Sequence, residues 1–197
     1  ELVLPAETIM VSLNVPGRVM VANALAAAAV GHLLGMAAAE IKAGLESIRA
    51  AKGRMEIIHT TAGINIIDDT YNASPASCVA ALNLLDEVGG RRIAVLGEMY
   101  ELGPHEEEGH KIVGRRASDT TDLLITVGPL GKIIGEEAIQ AGMDSNNVYM
   151  VESSAQAIDL VQTLLKAGPS GDRILVKGSR GMEMEQIVAA LQKGDAT

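Results

Sequence analysis

Two short stretches of this chain gather the residue types that bind charged small molecules. The first is Asp68-Asp69-Thr70-Tyr71-Asn72-Ala73-Ser74-Pro75, which follows the apolar run Ile64-Asn65-Ile66-Ile67 and precedes a helical pattern. A strand that ends in two carboxylates and a polar loop, then enters a helix, offers acceptors for sugar hydroxyls and a helix N-terminus for an anion. The second is Lys177-Gly178-Ser179-Arg180-Gly181, two cations among glycines at another strand-to-helix junction, a combination suited to a carboxylate or a phosphate. Between them lie Gly97-Glu98-Met99-Tyr100-Glu101-Leu102-Gly103 and Val127-Gly128-Pro129-Leu130-Gly131, each also at the end of an apolar run. Neither Gly-x-x-x-x-Gly-Lys-Ser/Thr nor Gly-x-Gly-x-x-Gly occurs, so this rim comes without a phosphate-gripping loop of its own.

Holding four such loops on one rim requires parallel strands that alternate with helices. Continuous apolar runs predict strands over 93–97, 123–127, 148–151 and 174–176, and a hairpin of 55–60 with 64–67 about Ala62-Gly63. Helical periodicity predicts helices over 75–87, with Pro75 in the first turn, and over 107–118, 133–141, 155–166 and 184–191. The expected class is α/β, a mostly parallel sheet with helices on both faces. Upstream the pattern differs. A short strand is expected over 10–13, a turn at Pro16-Gly17, and a helix over 23–34 that is apolar all round and therefore buried. An amphipathic helix over 38–48 carries Ile41, Leu45 and Ile48 on one face, and Ala50-Ala51-Lys52-Gly53 reads as a linker.

Charge supports that division. Residues 1–52 are net neutral, and residues 53–197 carry the whole net charge of −9. An acidic chain with three Tyr, no Phe and no Trp lacks both the basic footprint and the stacking platforms of a nucleic-acid binder. Its core must be built from Ala, Val, Ile, Leu and Met. The longest apolar stretch, 19–36, is broken by Asn23, Gly31, His32 and Gly35, and reads as a packed helix, with no membrane insertion. The single Cys78 excludes an internal disulfide and reads as a small packed side chain. The chain opens at Glu1 in mid-pattern, as expected of a piece of a longer protein.

Gly53-Arg54-Met55-Glu56, then Ile67-Asp68-Asp69-Thr70-Tyr71-Asn72-Ala73-Ser74-Pro75, then Val95-Leu96-Gly97-Glu98-Met99-Tyr100-Glu101-Leu102-Gly103, then Val176-Lys177-Gly178-Ser179-Arg180 together resemble the C-terminal domain of the Mur ligases, best the members that add D-alanyl-D-alanine. His110 and Gly114 fit the same pattern. The resemblance covers nearly the whole chain. It implies that 1–52 is the C-terminal tail of a central ATP-binding domain and that 53–197 is a complete, Rossmann-like C-terminal domain.

The activity implied is a cytoplasmic step of peptidoglycan synthesis. ATP, with Mg2+, activates a carboxylate of a UDP-N-acetylmuramoyl tripeptide as an acyl phosphate, and the amine of D-alanyl-D-alanine attacks it. By the same resemblance Asn23 contacts adenine, and Arg54 reaches the phosphates or ribose. Asp69, with Asp68 as the weaker candidate, binds the ribose hydroxyls, and Tyr71 and Asn72 line the cleft. Lys177, Ser179 and Arg180 hold the dipeptide through its carboxylate. No catalytic residue and no metal ligand is assigned here. Mg2+ and the phosphate loop belong to the upstream N-terminal and central domains of the same protein, so the chain alone is expected to be inactive. Val19-Met20 follow Pro16-Gly17-Arg18 where the family usually has His-Asn, and neither side chain can make the usual polar contacts.

Plainer readings stand beside these. Asp68-Asp69 could cap the following turn, Arg54 could be a surface ion-pair partner, and Lys177-Gly178-Ser179-Arg180 could be an ordinary strand-to-helix turn. Glu98, Glu101 and Glu106-Glu107-Glu108 read as a solvated loop face and first-turn helix acids, and His32 and His110 as structural. The competing functions are a related ligase, such as another Mur ligase or a folylpolyglutamate synthetase, and a non-catalytic Rossmann-like binding module.

Overall fold

The computed structural model describes residues 1–61, 63–168 and 171–193. The chain divides into two units, Glu1–Ala51 and Lys52–Thr197.

In the first unit, β1 (Leu2–Val3) and β2 (Thr8–Ile9) form a short antiparallel ribbon, followed by α1 (Arg18–Leu33) and α2 (Ala38–Ser47). Residues 10–13, expected as a strand, are irregular. The Ser12 N–H donates to the Glu46 carboxylate, so the end of α2 supplies a partner that a neighbouring strand would have given, and the Asn14 side-chain amide donates to the Glu46 carbonyl. Helix α1 starts directly after Gly17, earlier than expected, and it is not buried all round. Only Ala28 and Gly31 are buried, with Gly31 against Ile41 of α2, while Val19, Val21, Leu25, Val30 and Leu33 are exposed. The small core of Leu2, Ala28, Ile41 and Leu45 covers one stripe of the helix only. No helix among the described residues is long and apolar enough to cross a membrane.

The second unit is one six-stranded sheet. Its strands are β3 (Glu56–His59), β4 (Asn65–Asp69), β5 (Arg92–Leu96), β6 (Leu123–Val127), β7 (Val148–Val151) and β8 (Arg173–Lys177), in the spatial order β3-β4-β8-β5-β6-β7. All pairings are parallel except that of β3 with β4. The turn of that hairpin includes Ala62, which lies outside the described residues.

Helices α3 (Pro75–Glu87), α4 (Glu106–Thr120) and α5 (Gly131–Gln140) cover one face, where Leu82, Leu85, Val113, Ala117, Ile134 and Ala138 meet Ile67, Leu96 and Leu124. Helices α6 (Ser154–Ala167) and α7 (Glu185–Lys193) cover the other, where Ala157, Val161, Ile187 and Leu191 meet Ile66, Ile93 and Ile174. Nearly every residue of the four inner strands, β4, β8, β5 and β6, is buried, as a sheet covered on both faces requires, while the edge strands β3 and β7 are mostly half-buried or exposed.

The connection from β7 through α6 returns to the middle of the sheet and places β8 between β4 and β5. Beyond their carboxyl ends, β4 and β5 lead to helices on one face and β8 leads to a helix on the other. The loops therefore part beside β8, which makes its carboxyl end a topological switch point, the place where open α/β sheets bind ligands.

Candidate functional site

The residues around that switch point are placed by strand parity. Successive side chains of β4 point to opposite faces. Asp69 thus shares the face of Ile67 and of α3, and Asp68 the face of Ile66. The two carboxylates cannot serve one ligand together. Asp68 is 2% exposed and accepts from the Thr70 N–H at 3.2 Å and the Thr70 hydroxyl at 2.7 Å. It closes its own turn, as the plainer reading held.

Asp69 pairs across the ladder with Lys177, its register partner on β8. The Lys177 ammonium donates to Asp69 Oδ2 at 2.6 Å and to the Asn72 carbonyl at 2.7 Å. Asp69 Oδ1 accepts the Met55 N–H at 3.1 Å. Two of the roughly four acceptor sites of a carboxylate remain open, and the Asp69 side chain is 12% exposed. It can therefore still accept from hydroxyl groups.

The segment before β3 is anchored to the same loop. The Tyr71 N–H donates to the Gly53 carbonyl at 2.9 Å, and Gly53 has a φ of +70° with Thr70 and Tyr71 packed where a side chain would begin. This glycine brings Arg54 over the Tyr71 ring, with the guanidinium carbon 3.9 Å from the ring centroid. Arg54, Tyr71 and Asn72 are exposed. Ser74 then caps α3, accepting from the Ser77 N–H, and Pro75 opens the helix.

The loop after β8 is braced against the loop after β5. Gly97 and Gly178 approach so closely that a Cβ on Gly178 would lie 3.2 Å from the Gly97 Cα, and the Gly97 N–H donates to the Lys177 carbonyl at 2.7 Å. Ser179, also buried, accepts the Tyr100 N–H at 2.8 Å through its hydroxyl, and its own N–H donates to the Glu98 carbonyl. Of the three residues expected to hold an acceptor, only Arg180 reaches solvent. Its side chain is 66% exposed, and its guanidinium meets Glu185 at 3.0 Å.

Other residues around the rim depart from the sequence reading or bear it out. Glu98 belongs to no solvated face: it is buried and accepts the Leu130 N–H at 3.0 Å, a negative charge at the start of α5. Burial, followed by this carboxylate, raises the pKa of Tyr100 above the ordinary phenol value. His110 is fully buried. Its Nε2 accepts the Met99 N–H at 3.0 Å and its Nδ1 meets the Glu106 carbonyl at 2.6 Å, which fixes a neutral Nδ1–H tautomer in a structural role. Cys78 packs beside Met99, and burial pushes its thiol up to about 12 against the opposing pull of Lys177.

Asn23 lies on α1 in the first unit. It is exposed and borders an apolar cavity of about 70 Å³ with Met20, Ala24, Leu45 and Ile48. Met20, one of the two departures from the family pattern, is the neighbour of its amide, at 3.7 Å through sulfur.

The sequence matches the family model described as Mur ligase, glutamate ligase domain, over residues 53–180. The chain is similar to the UDP-N-acetylmuramoyl-tripeptide–D-alanyl-D-alanine ligase of Bacillus subtilis, 39% identical over 178 residues, which are 89% of this chain and 38% of that protein. The enzyme of the same name from Escherichia coli is 37% identical over 190 residues, 96% of this chain and 40% of its own length. Among solved structures, MurF from Acinetobacter baumannii superposes with a TM-score of 0.83 at 31% identity, over 96% of this chain and 40% of that one. The chain thus spans about two fifths of the length of the relatives it matches.

Proposed function

The chain belongs to the Mur ligase family, and from that premise we propose that it is the C-terminal lobe of a cytoplasmic, ATP-dependent ligase that joins D-alanyl-D-alanine to a UDP-N-acetylmuramoyl tripeptide in peptidoglycan synthesis. Residues 1–52 are then the tail of the central ATP-binding domain, and the N-terminal and central domains upstream complete the site. The observation that carries the reading is the pairing of two loops on one rim. One presents an acceptor carboxylate with a stacked cation, and the other presents an exposed guanidinium.

The donor set suits the two ligands. Asp69 keeps open acceptor capacity for ribose hydroxyls, and Arg54, held over Tyr71, presents a charge for phosphates. Asn23 is the adenine contact, and Asn72 lines the cleft with Tyr71. Arg180 suits a terminal carboxylate, which its planar fork can grip in a bidentate way. Bound ATP would supply the phosphoryl group that turns a carboxylate into an electrophile. By the family resemblance, Mg2+ is held mainly by the upstream part. What this chain contributes is binding and orientation: it lowers the entropy of bringing two anionic reactants together, and it places positive charge where they meet.

The test is phosphate release by the full-length enzyme with ATP, magnesium and UDP-N-acetylmuramoyl tripeptide, with and without D-alanyl-D-alanine. Release that depends on the dipeptide is expected. Arg180→Ala should then lower kcat/KM for the dipeptide about 10- to 100-fold, the worth of one or two hydrogen bonds to a charged group. No release from the folded full-length protein would refute the ligase and favour a binding module.

A further inference from the structure

We propose that Lys177 is a positioning residue for the nucleotide half of the site and not a ligand of the acceptor, an inference that rests on the ligase reading above. Its side chain is 2% exposed. Two of its three ammonium protons are committed, one to Asp69 Oδ2 and one to the Asn72 carbonyl. The third lies within the same buried surroundings, so an incoming carboxylate could engage it only by pushing aside the groups packed around the ammonium, which would disturb these two bonds. Arg180, three residues further on, offers an exposed guanidinium with no such cost.

What Lys177 does instead follows from its two partners. Asp69 is clamped at both oxygens, by Lys177 from β8 and by the Met55 N–H from the segment before β3, so the plane of its carboxylate is set by two separate pieces of chain. The bond to the Asn72 carbonyl holds the loop that carries Tyr71, and Tyr71 in turn supports Arg54. One ammonium therefore orients every group on this unit that the reading assigns to the nucleotide. Removing it frees Asp69 to rotate and slackens residues 70–72, while the brace of Ser179 against Tyr100 and Glu98, which holds the loop of Arg180, remains.

The experiment compares Lys177→Met and Lys177→Gln with wild type in the full-length enzyme, reading KM for each substrate. A rise of about tenfold or more in KM for ATP, with KM for D-alanyl-D-alanine within about twofold, is expected, and Arg180→Ala should show the reverse split. A rise confined to the dipeptide, or an equal rise in both, overturns the proposal. A second measurement needs no variant. Acetic anhydride labelling of the wild-type enzyme, mapped by mass spectrometry, should modify Lys177 far more slowly than the exposed Lys132, whether or not dipeptide is present. Ready labelling of Lys177, or protection that appears only with dipeptide, overturns it. Failure of the ligase reading itself would show separately, as absent dipeptide-dependent phosphate release by wild type.

Discussion

Gly114→Ala tests how closely α4 and α5 are packed, because two opposing effects of known size meet at one atom. Alanine is the better helix former, by about 0.8–1.0 kcal/mol in a helix interior. Against that, a Cβ at this position would lie 2.5 Å from the Ile134 carbonyl oxygen and 2.8 Å from the Glu137 Cβ. A backbone oxygen cannot move aside by changing rotamer, so the two helices must separate by several tenths of an ångström. Overpacking of this kind costs about 1–3 kcal/mol, and the separation also loosens Val113 and Ala117 from Ile134 and Ala138. Because the contact is with backbone and well inside van der Waals distance, the upper part of that range applies, and about 2–3 kcal/mol less the helix-forming gain leaves a net loss of about 1–2 kcal/mol.

Gly135→Ala on α5 is the control. There the added methyl meets only the side chain of Met150, at 2.9–3.2 Å, which can give way, and the change should stay within about 0.5 kcal/mol of wild type. Urea unfolding followed by tyrosine fluorescence is the suitable assay. Tyr71, Tyr100 and Tyr149 all lie in the second unit and the chain has no Trp, so the signal reports that unit alone. Gly114→Ala should lower the midpoint by about 0.5–1 M. Equal or greater stability for Gly114→Ala, or an equal loss for Gly135→Ala, would refute the argument.

Other expectations concern ionisable groups. With its thiol at about 12, folded Cys78 holds about 10³-fold less thiolate at pH 8 than an exposed cysteine at the ordinary value of 9.0; a disulfide reagent should therefore label it rapidly only after unfolding, and rapid labelling of the native chain would contradict its burial. Between pH 9 and about 12 the same group favours the unfolded state increasingly, since the native thiol keeps its proton longer. Asp122, hydrogen-bonded by the Arg92 guanidinium and by the Arg92 N–H, has its pKa lowered from 3.8. Its contribution is present above that value and lost as pH falls through the depressed one. Because the side chain is 42% exposed, that contribution should stay below about 1 kcal/mol; Asp122→Asn should be less stable than wild type at neutral pH, with the gap closing below pH 4, and a gap that widens in acid would show the sign to be wrong.

The architecture of the second unit was readable because its strands are continuous apolar runs and its helices are periodic. The runs 123–127 and 148–151 match β6 and β7 at both ends. The reading stopped β4 at Ile67 because two aspartates looked like loop. The strand runs on through Asp69 because Thr70 and Lys177 satisfy both carboxylates inside the sheet, and no local pattern announces a partner more than a hundred residues away. For the same reason Lys177 looked available and Glu98 looked solvated, since each is answered by a distant element. In the first unit the local signals misled in a different way. A run of apolar residues marks a helix, but it cannot say how much of its surface this stretch of chain covers, and within 10–13 the Ser12 N–H found its partner on the Glu46 carboxylate instead of on a strand.

The place of β8 between β4 and β5 also bears on how the sheet avoids error. β8 is the last strand in sequence and enters a slot whose two walls are already in the chain order. Its middle residues, Ile174, Leu175 and Val176, are nearly interchangeable in shape, so a shift of two positions would keep every side chain on its proper face. Hydrophobic matching alone could not tell that arrangement from the native one. Lys177 can: in the native register its ammonium meets Asp69, and a slip that moves it two positions inward, opposite Ile67, would bury the cation without that counter-charge. The pair thus favours the native register over a two-residue slip, independently of any ligand.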